Sequence, residues 1–87
     1  MPKLEKKISV KCRQGLHARP AAMFVQIANK YLAQVSVRRG TEEVNGKSIM
    51  GILMLGADYG CEVQLIVDGK DADQAFVELE AFLGKEE

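Results

Sequence analysis

The sequence predicts an α+β fold in which three helices cover one face of a single β-sheet. Two observations carry this. Four segments read as strands with one apolar parity, that over 62–68 cleanly and that over 42–45 weakly, as expected when one sheet face is buried and the other wet. Three other segments repeat apolar residues at three- and four-residue spacing, the stripe of a helix that packs on one side. In order they read β-α-β-β-α-β-α, and one-sided strands and helices bury their apolar surface by stacking as two layers.

The first strand spans residues 4–12, with Leu4, Ile8, Val10 and Cys12 facing inward and Lys7, Ser9, Lys11 and Arg13 outward; Lys6 interrupts the inner set. A turn over 13–16, punctuated by Gly15, leads into a helix from 18 to about 32. Its expected stripe is Ala18, Ala21, Ala22, Val25, Ala28 and Leu32. Pro20 is tolerated there because a first-turn N–H has no intrahelical acceptor. A hairpin follows, with Val35 and Val37 alternating with Ser36 and Arg38, a turn at Gly40-Thr41 and a weak return strand over 42–45.

Residues 48 to about 55 predict a short helix bounded by Gly46 and Gly56, with Ser48 as N-cap and Ile49, Ile52 and Leu53 in the core. The strand over 62–68 places Val63, Leu65 and Val67 on the parity of Cys61. Lys7, Ser9, Lys11, Ser36, Arg38, Glu62 and Gln64 fall on the wet face, where Ile66 is the apolar exception. After a turn at 68–70, Asp71 and Gln74 resemble a capping pair for a last helix striped by Ala72, Ala75, Phe76, Leu79, Phe82 and Leu83.

Eighty-seven residues, 47% of them hydrophobic, predict one small domain over residues 1–87, with one core and no room for a separate cofactor domain. Twelve basic and twelve acidic side chains cancel, so no global field recruits nucleic acid or an anionic membrane. No apolar run approaches the roughly 20 residues of a membrane span. The first residues lack a hydrophobic signal-peptide segment, which makes the cytoplasm the expected compartment. Cys12, Cys61 and one histidine do not make a metal framework, and no metal or cofactor is expected. The two cysteines are expected as buried reduced thiols, a disulfide being open to them only if their strands pair.

The chemistry centres on His17, the single histidine, in Gly15-Leu16-His17-Ala18-Arg19-Pro20, where a strand gives way to a helix. A helix start offers unpaired N–H groups and partial positive charge, which favour an anion such as phosphate and a neutral imidazole. Imidazole, with an unperturbed pKa of about 6.5, is available as a nucleophile near neutral pH. Arg19 supplies planar donors suited to phosphate oxygens. There is no Walker loop, no acidic cluster for magnesium and no Ser-His-Asp set, and no second catalytic partner stands out. The residues therefore point to a histidine that takes up a phosphoryl group and passes it to a partner. In Gly46-Lys47-Ser48-Ile49-Met50-Gly51, Ser48 is also a candidate modification site, and Met50 and Met54 are candidates for an exposed apolar surface.

The segments Gly-Leu-His-Ala-Arg-Pro-Ala-Ala at 15–22 and Lys-Ser-Ile-Met-Gly-Ile-Leu at 47–53 closely resemble the HPr family, the histidine phosphocarriers of the bacterial phosphoenolpyruvate-dependent phosphotransferase system (PTS). The resemblance implies an open-faced β-sandwich with an antiparallel sheet of order 1-4-2-3, which would bring Cys12 and Cys61 close together. It implies that His17 carries phosphate on Nδ1 after transfer from enzyme I and donates it to enzyme IIA domains. It further implies that Arg19 stabilises the phosphate and that Ser48 is a regulatory serine. Ala18, Pro20, Lys47, Ile49, Met50, Gly51 and Met54 are the expected partner-binding residues. An HPr kinase/phosphorylase and a catabolite regulator are expected partners wherever the serine is used, and the carrier is expected to be a monomer.

His17 separates the chain from the Crh paralogues, which have glutamine at that position, although Leu16 and the Ala-Ala-Met-Phe-Val-Gln run look like that branch. The alternative is thus a regulatory paralogue, of nitrogen or catabolite-repression type, acting mainly as a binding module. A small RNA-binding domain is disfavoured by the neutral charge and the lack of an aromatic ribonucleoprotein motif.

Overall fold

The computed structural model describes residues 3–85, in the order β1 (Lys3–Ser9), α1 (Ala18–Ala28), β2 (Gln34–Arg39), β3 (Glu42–Asn45), α2 (Ile49–Leu55), β4 (Glu62–Asp68) and α3 (Ala72–Leu83). The four strands form one antiparallel sheet of order β1-β4-β2-β3. The three helices and the expected order are therefore as the sequence and the resemblance predicted. Val63, Leu65 and Val67 of the central strand β4 are fully covered, as are Val35 and Val37 beside them. On the opposite face Arg38 donates to Gln64, and Gln64 Nε2 donates to Glu5 Oε2 at 2.8 Å, a polar chain across β2, β4 and β1.

β1 ends three residues earlier than expected. Val10 still exchanges hydrogen bonds with the 60–61 backbone, but the Lys11 N–H turns to the Leu83 carbonyl at the end of α3 (2.9 Å), which takes the chain out of the sheet. Cys61 thus lies against Val10 rather than Cys12. Both cysteines are thiols; Cys12 is buried, as expected, whereas Cys61 is only half-buried. Lys6, on the inner parity of the edge strand, reaches across to α3 and pairs with Glu80 at 2.6 Å.

The stripe of α1 is rotated from the expected one. Ala21, Phe24 and Ala28 are buried, while Ala18 is exposed, Ala22 and Val25 are half-buried and Leu32 is 89% exposed. Phe24, absent from the expected stripe, is fully covered and meets Phe82 of α3 at 6.3 Å between ring centroids. The alanine-rich sequence admits more than one stripe, and the largest side chain decides which one is buried. α1 also stops at Ala28, short of the expected 32. Asn29 turns its side chain back to the Val25 carbonyl (3.0 Å), and tight i→i+3 bonds close the following turn.

The expected capping pair on α3 does not form. Asp71 stands at the N-cap position without a side-chain cap bond; its carboxylate instead accepts from the Leu32 and Ala33 N–H groups, each at 2.8 Å. Two orphan donors of the α1–β2 connection are stronger claimants than the first turn of its own helix. The same connection is held by Glu78 of α3, which accepts from Lys30 Nζ (2.7 Å) and the Tyr31 hydroxyl (2.5 Å). The Leu32 N–H above all, with the Ala33 N–H and the nearby Lys47 charge, holds the Asp71 carboxyl below the usual range, against an opposing effect of burial.

Phe24→Ala is expected to cost about 3–5 kcal/mol in denaturant unfolding, the usual range for emptying a buried aromatic site. Asp71→Asn is expected to lower Tm at neutral pH. Because the folded-state pKa of Asp71 lies below its unfolded value, its stabilisation is full above about pH 5, past an ordinary aspartate pKa of about 3.9. It fades as pH falls through the lowered pKa, so thermal melts of the two proteins should converge at acid pH.

Candidate functional site

The site forms where the β1–α1 connection meets the segment that follows α2. Gly15 has a left-handed φ of 68°, and a Cβ built there would lie 2.7 Å from the Ala57 carbonyl oxygen and 2.9 Å from Asp58 Cα. Only glycine permits both the conformation and the approach. The Leu16 N–H then donates to the Ala57 carbonyl at 2.7 Å, and the Gly60 N–H donates to Val10 at 2.8 Å. Leu16, fully buried, pins this junction to the core. The 57–60 segment is held from its other side as well. Gly56 closes α2 with a φ of 64°, and Arg39 of β2 donates to the Leu55 (3.2 Å) and Gly56 (2.7 Å) carbonyls.

His17 is the N-cap residue of α1 in extended conformation, but its side chain makes no capping bond. Its Nε2 lies 2.7 Å from Asp58 Oδ1, with the imidazole 44% exposed and the carboxylate 73% exposed. A carboxylate oxygen only accepts, so Nε2 carries the hydrogen and donates it. In the neutral ring the lone pair is therefore on Nδ1, which has no hydrogen-bond partner among the described residues. The arrangement is an exposed imidazole with one nitrogen tied and the other available as a nucleophile or acceptor.

Asp58 was missed in the sequence because it lies forty-one residues from His17. The signal that pointed toward it was Gly15, whose permissiveness marks a close approach without saying of what. His17 thus stands at the start of α1, as the sequence predicts. Pro20 has no N–H and the Ala21 N–H bonds the His17 carbonyl at 3.4 Å, so the first-turn N–H groups without an acceptor among the described residues are those of Ala18 and Arg19. Ala18 has a φ of 44°, an uncommon conformation for a residue with a side chain and one that sharply redirects the chain right after His17.

Arg19 is exposed and makes no hydrogen bond or ion pair among the described residues. With Arg13, Ala18, Pro20, Met23 and Phe82 it lines a shallow depression of about 570 Å³ flanking His17. Ser48 is where the sequence put it, capping α2 by accepting from the Gly51 N–H at 3.1 Å. It does not meet His17. The C-terminal end of α1 touches the start of α2 through Asn29 and the Lys47 carbonyl (3.3 Å), whereas the His17 end touches the segment after α2. The two helices run in opposite directions, and the seven residues of α2, about 10 Å at 1.5 Å per residue, separate the two sites.

Lys47 is half-buried, its ammonium donating to the Tyr31 carbonyl at 2.6 Å. Gly51 packs against β3, where a Cβ would come 3.1 Å from the Asn45 carbonyl. Met50 and Met54 are exposed at 63% and 72%; Ile49 and Leu53, expected in the core, are exposed at 43% and 36%. The sequence of α2 is apolar all round, so its pattern leaves open which side faces inward. Ile52 and Leu55 are the residues that do. Among the described residues no group of three metal-ligating side chains is assembled, and no helix is long and apolar enough to cross a membrane.

Comparison with known proteins places the chain in one family. The family model described as the PTS HPr component phosphorylation site matches residues 4–85. The HPr-like protein Crh of Halalkalibacterium halodurans is 42% identical over 83 residues, 95% of this chain and 99% of that protein. The crystal structure of a phosphocarrier protein HPr from Bacillus anthracis superposes with a TM-score of 0.91 at 38% identity, covering 93% of this chain and 96% of the other. Bacillus subtilis Crh, solved as a domain-swapped dimer, gives a TM-score of 0.75 at 41% identity over 92% of each chain.

Gly15→Ala is expected to destabilise the chain by about 1–3 kcal/mol from the left-handed conformation alone, with more from the overlap on Ala57. Denaturant unfolding measures the loss, and NMR of His17 should show it separated from Asp58 in the fraction that folds.

Proposed function

The chain belongs to the HPr family of PTS phosphocarriers, and from that premise we propose that His17 is its phosphoryl acceptor. The observation that carries this reading is the exposed ring whose Nε2–H is held by Asp58 and whose Nδ1 is open at the positive end of α1. In the reaction Nδ1 attacks the phosphorus of phosphorylated enzyme I, which itself received the group from phosphoenolpyruvate. The phosphoryl group then passes to an enzyme IIA domain in sugar uptake. Arg19, unpaired among the described residues, is the group able to follow the phosphate oxygens as charge shifts during transfer. The chain turns over no substrate of its own. It acts as a one-domain cytoplasmic carrier between enzymes.

The partner surface is proposed to be the exposed apolar part of α1 and α2. Met50 and Met54 adapt to differently shaped partners, Ile49 adds area, and Ala18 and Pro20 lie beside the histidine. Lys47 and Gly51 shape that surface from beneath, through Tyr31 and β3.

Ser48 is proposed as a regulatory phosphorylation site. It lies about one helix length from His17, so a phosphate there would act on the shared docking surface rather than on the imidazole. At a helix start the added charge is locally favourable, so the fold is retained. This supports a second reading, a regulatory module bound by an HPr kinase/phosphorylase and a catabolite regulator, in keeping with the similarity to Crh. The two roles are compatible on one chain.

Incubation with phosphoenolpyruvate and enzyme I is expected to give an acid-labile, base-stable adduct; its persistence in His17→Ala refutes the acceptor assignment. Arg19→Ala should slow transfer at unchanged Tm. Ser48→Asp should weaken enzyme I-dependent phosphorylation without lowering Tm, since aspartate also caps a helix, whereas Ser48→Ala should cost about 1 kcal/mol. Light scattering should give the mass of a monomer.

A further inference from the structure

Asp58 belongs to none of the sequence motifs, yet its carboxylate is the acidic group within hydrogen-bond distance of the His17 ring. We infer that Asp58 is a positioning residue that keeps one proton on His17 Nε2 through the whole transfer cycle and so sets how readily the phosphorylated ring gives up its phosphate. This rests on His17 as acceptor and adds to it a reason for the reactivity of the adduct.

The chemistry balances without any proton leaving the ring. The Nδ1 lone pair forms the Nδ1–P bond while the bond from phosphorus to the donor breaks, its electron pair staying with the donor. The ring keeps its Nε2 hydrogen and becomes a cationic phosphoimidazole. On donation the Nδ1–P electron pair returns to Nδ1, and the departing ring is neutral imidazole, a good leaving group. If Nε2 lost its proton in between, the departing ring would be an imidazolate, a poor one. A carboxylate 2.7 Å from Nε2 opposes that loss, because it stabilises the cationic ring more than the neutral one.

The geometry makes this specific to one residue. Arg13 and Arg19 line the depression beside His17 and lie on its own chain segment, while α3, also packed against α1, carries Asp73 in its first turn and has Glu78 and Glu80 tied to Lys30, Tyr31 and Lys6. α2, packed against α1, has no titratable side chain. The 57–60 segment contributes Asp58 and the phenol of Tyr59, which is exposed. The carboxylate is held in place from the backbone outward. Arg39 fixes the end of α2, the Ala57 carbonyl takes the Leu16 N–H, and Gly15 leaves the space. Both partners are exposed, so the effect is that of a screened pair, modest in size.

The test uses the full chain, phosphorylated by enzyme I and phosphoenolpyruvate, with Asp58→Asn and Asp58→Glu beside wild type. The adduct's hydrolysis rate is followed against pH, its ¹⁵N-histidine spectrum reports the Nε2 proton, and transfer to an enzyme IIA domain is timed. Asp58→Asn should move the acid-side rise in hydrolysis to lower pH and slow donation about two- to fivefold, as expected for an exposed pair. Asp58→Glu should restore most of both, and Tm should stay that of wild type. If wild type forms no base-stable adduct, the carrier reading fails and this inference fails with it. If the adduct forms but Asp58→Asn keeps the wild-type pH profile and donation rate, Asp58 is overturned while the carrier reading stands.

Discussion

The structure turns on one close backbone contact, the Leu16 N–H to the Ala57 carbonyl across the missing side chain of Gly15. That contact sets the start of α1 against the segment following α2. It fixes where α1 begins, makes the two helices antiparallel neighbours, and brings an aspartate to a histidine from the other half of the chain. A side chain at position 15 would push the segments apart, and the site would lose its carboxylate even if the sheet and core still formed.

Around that contact, polar groups do the fastening and apolar groups supply the bulk. Arg39 reaches from the sheet to the open carbonyls at the end of α2, and Asp71 reaches from α3 to the open N–H groups after α1. Each ties down a connection that would otherwise leave backbone groups unpaired. Glu78 adds a second tie to the same α1–β2 connection. No buried side-chain nitrogen or oxygen among the described residues lacks a partner. The polar fastenings are thus at the rims, and Phe24, Ile52 and the β4 valines fill the middle.

This division suits a carrier. On the proposed reading, the His17 imidazole sits on a junction pinned by the Leu16–Ala57 bond, held on one nitrogen and open on the other, so a partner would meet an oriented ring. Ser48 and the exposed methionines lie along α2, within the docking area proposed above but away from the His17 ring. The two proposed roles, transfer at His17 and regulation at Ser48, would then share one small face without sharing atoms.

Much of this was legible in the chain. Strict alternation in β4 and the hydroxyl before α2 depend on neighbours in sequence, and both were read correctly, as was the placement of His17 at a helix start. The misreadings share a cause. Which stripe of the alanine-rich α1 is buried, which side of the all-apolar α2 faces inward, and where the Asp71 carboxylate points are settled by surfaces that arrive from elsewhere in the chain. The His17–Asp58 pair is the strongest case. Sequence alone determined the fold class and the placement of the single histidine at a helix start, because periodicity and side-chain chemistry are local. Tertiary structure decided which ring nitrogen is free, because that depends on a contact made only when the chain closes on itself.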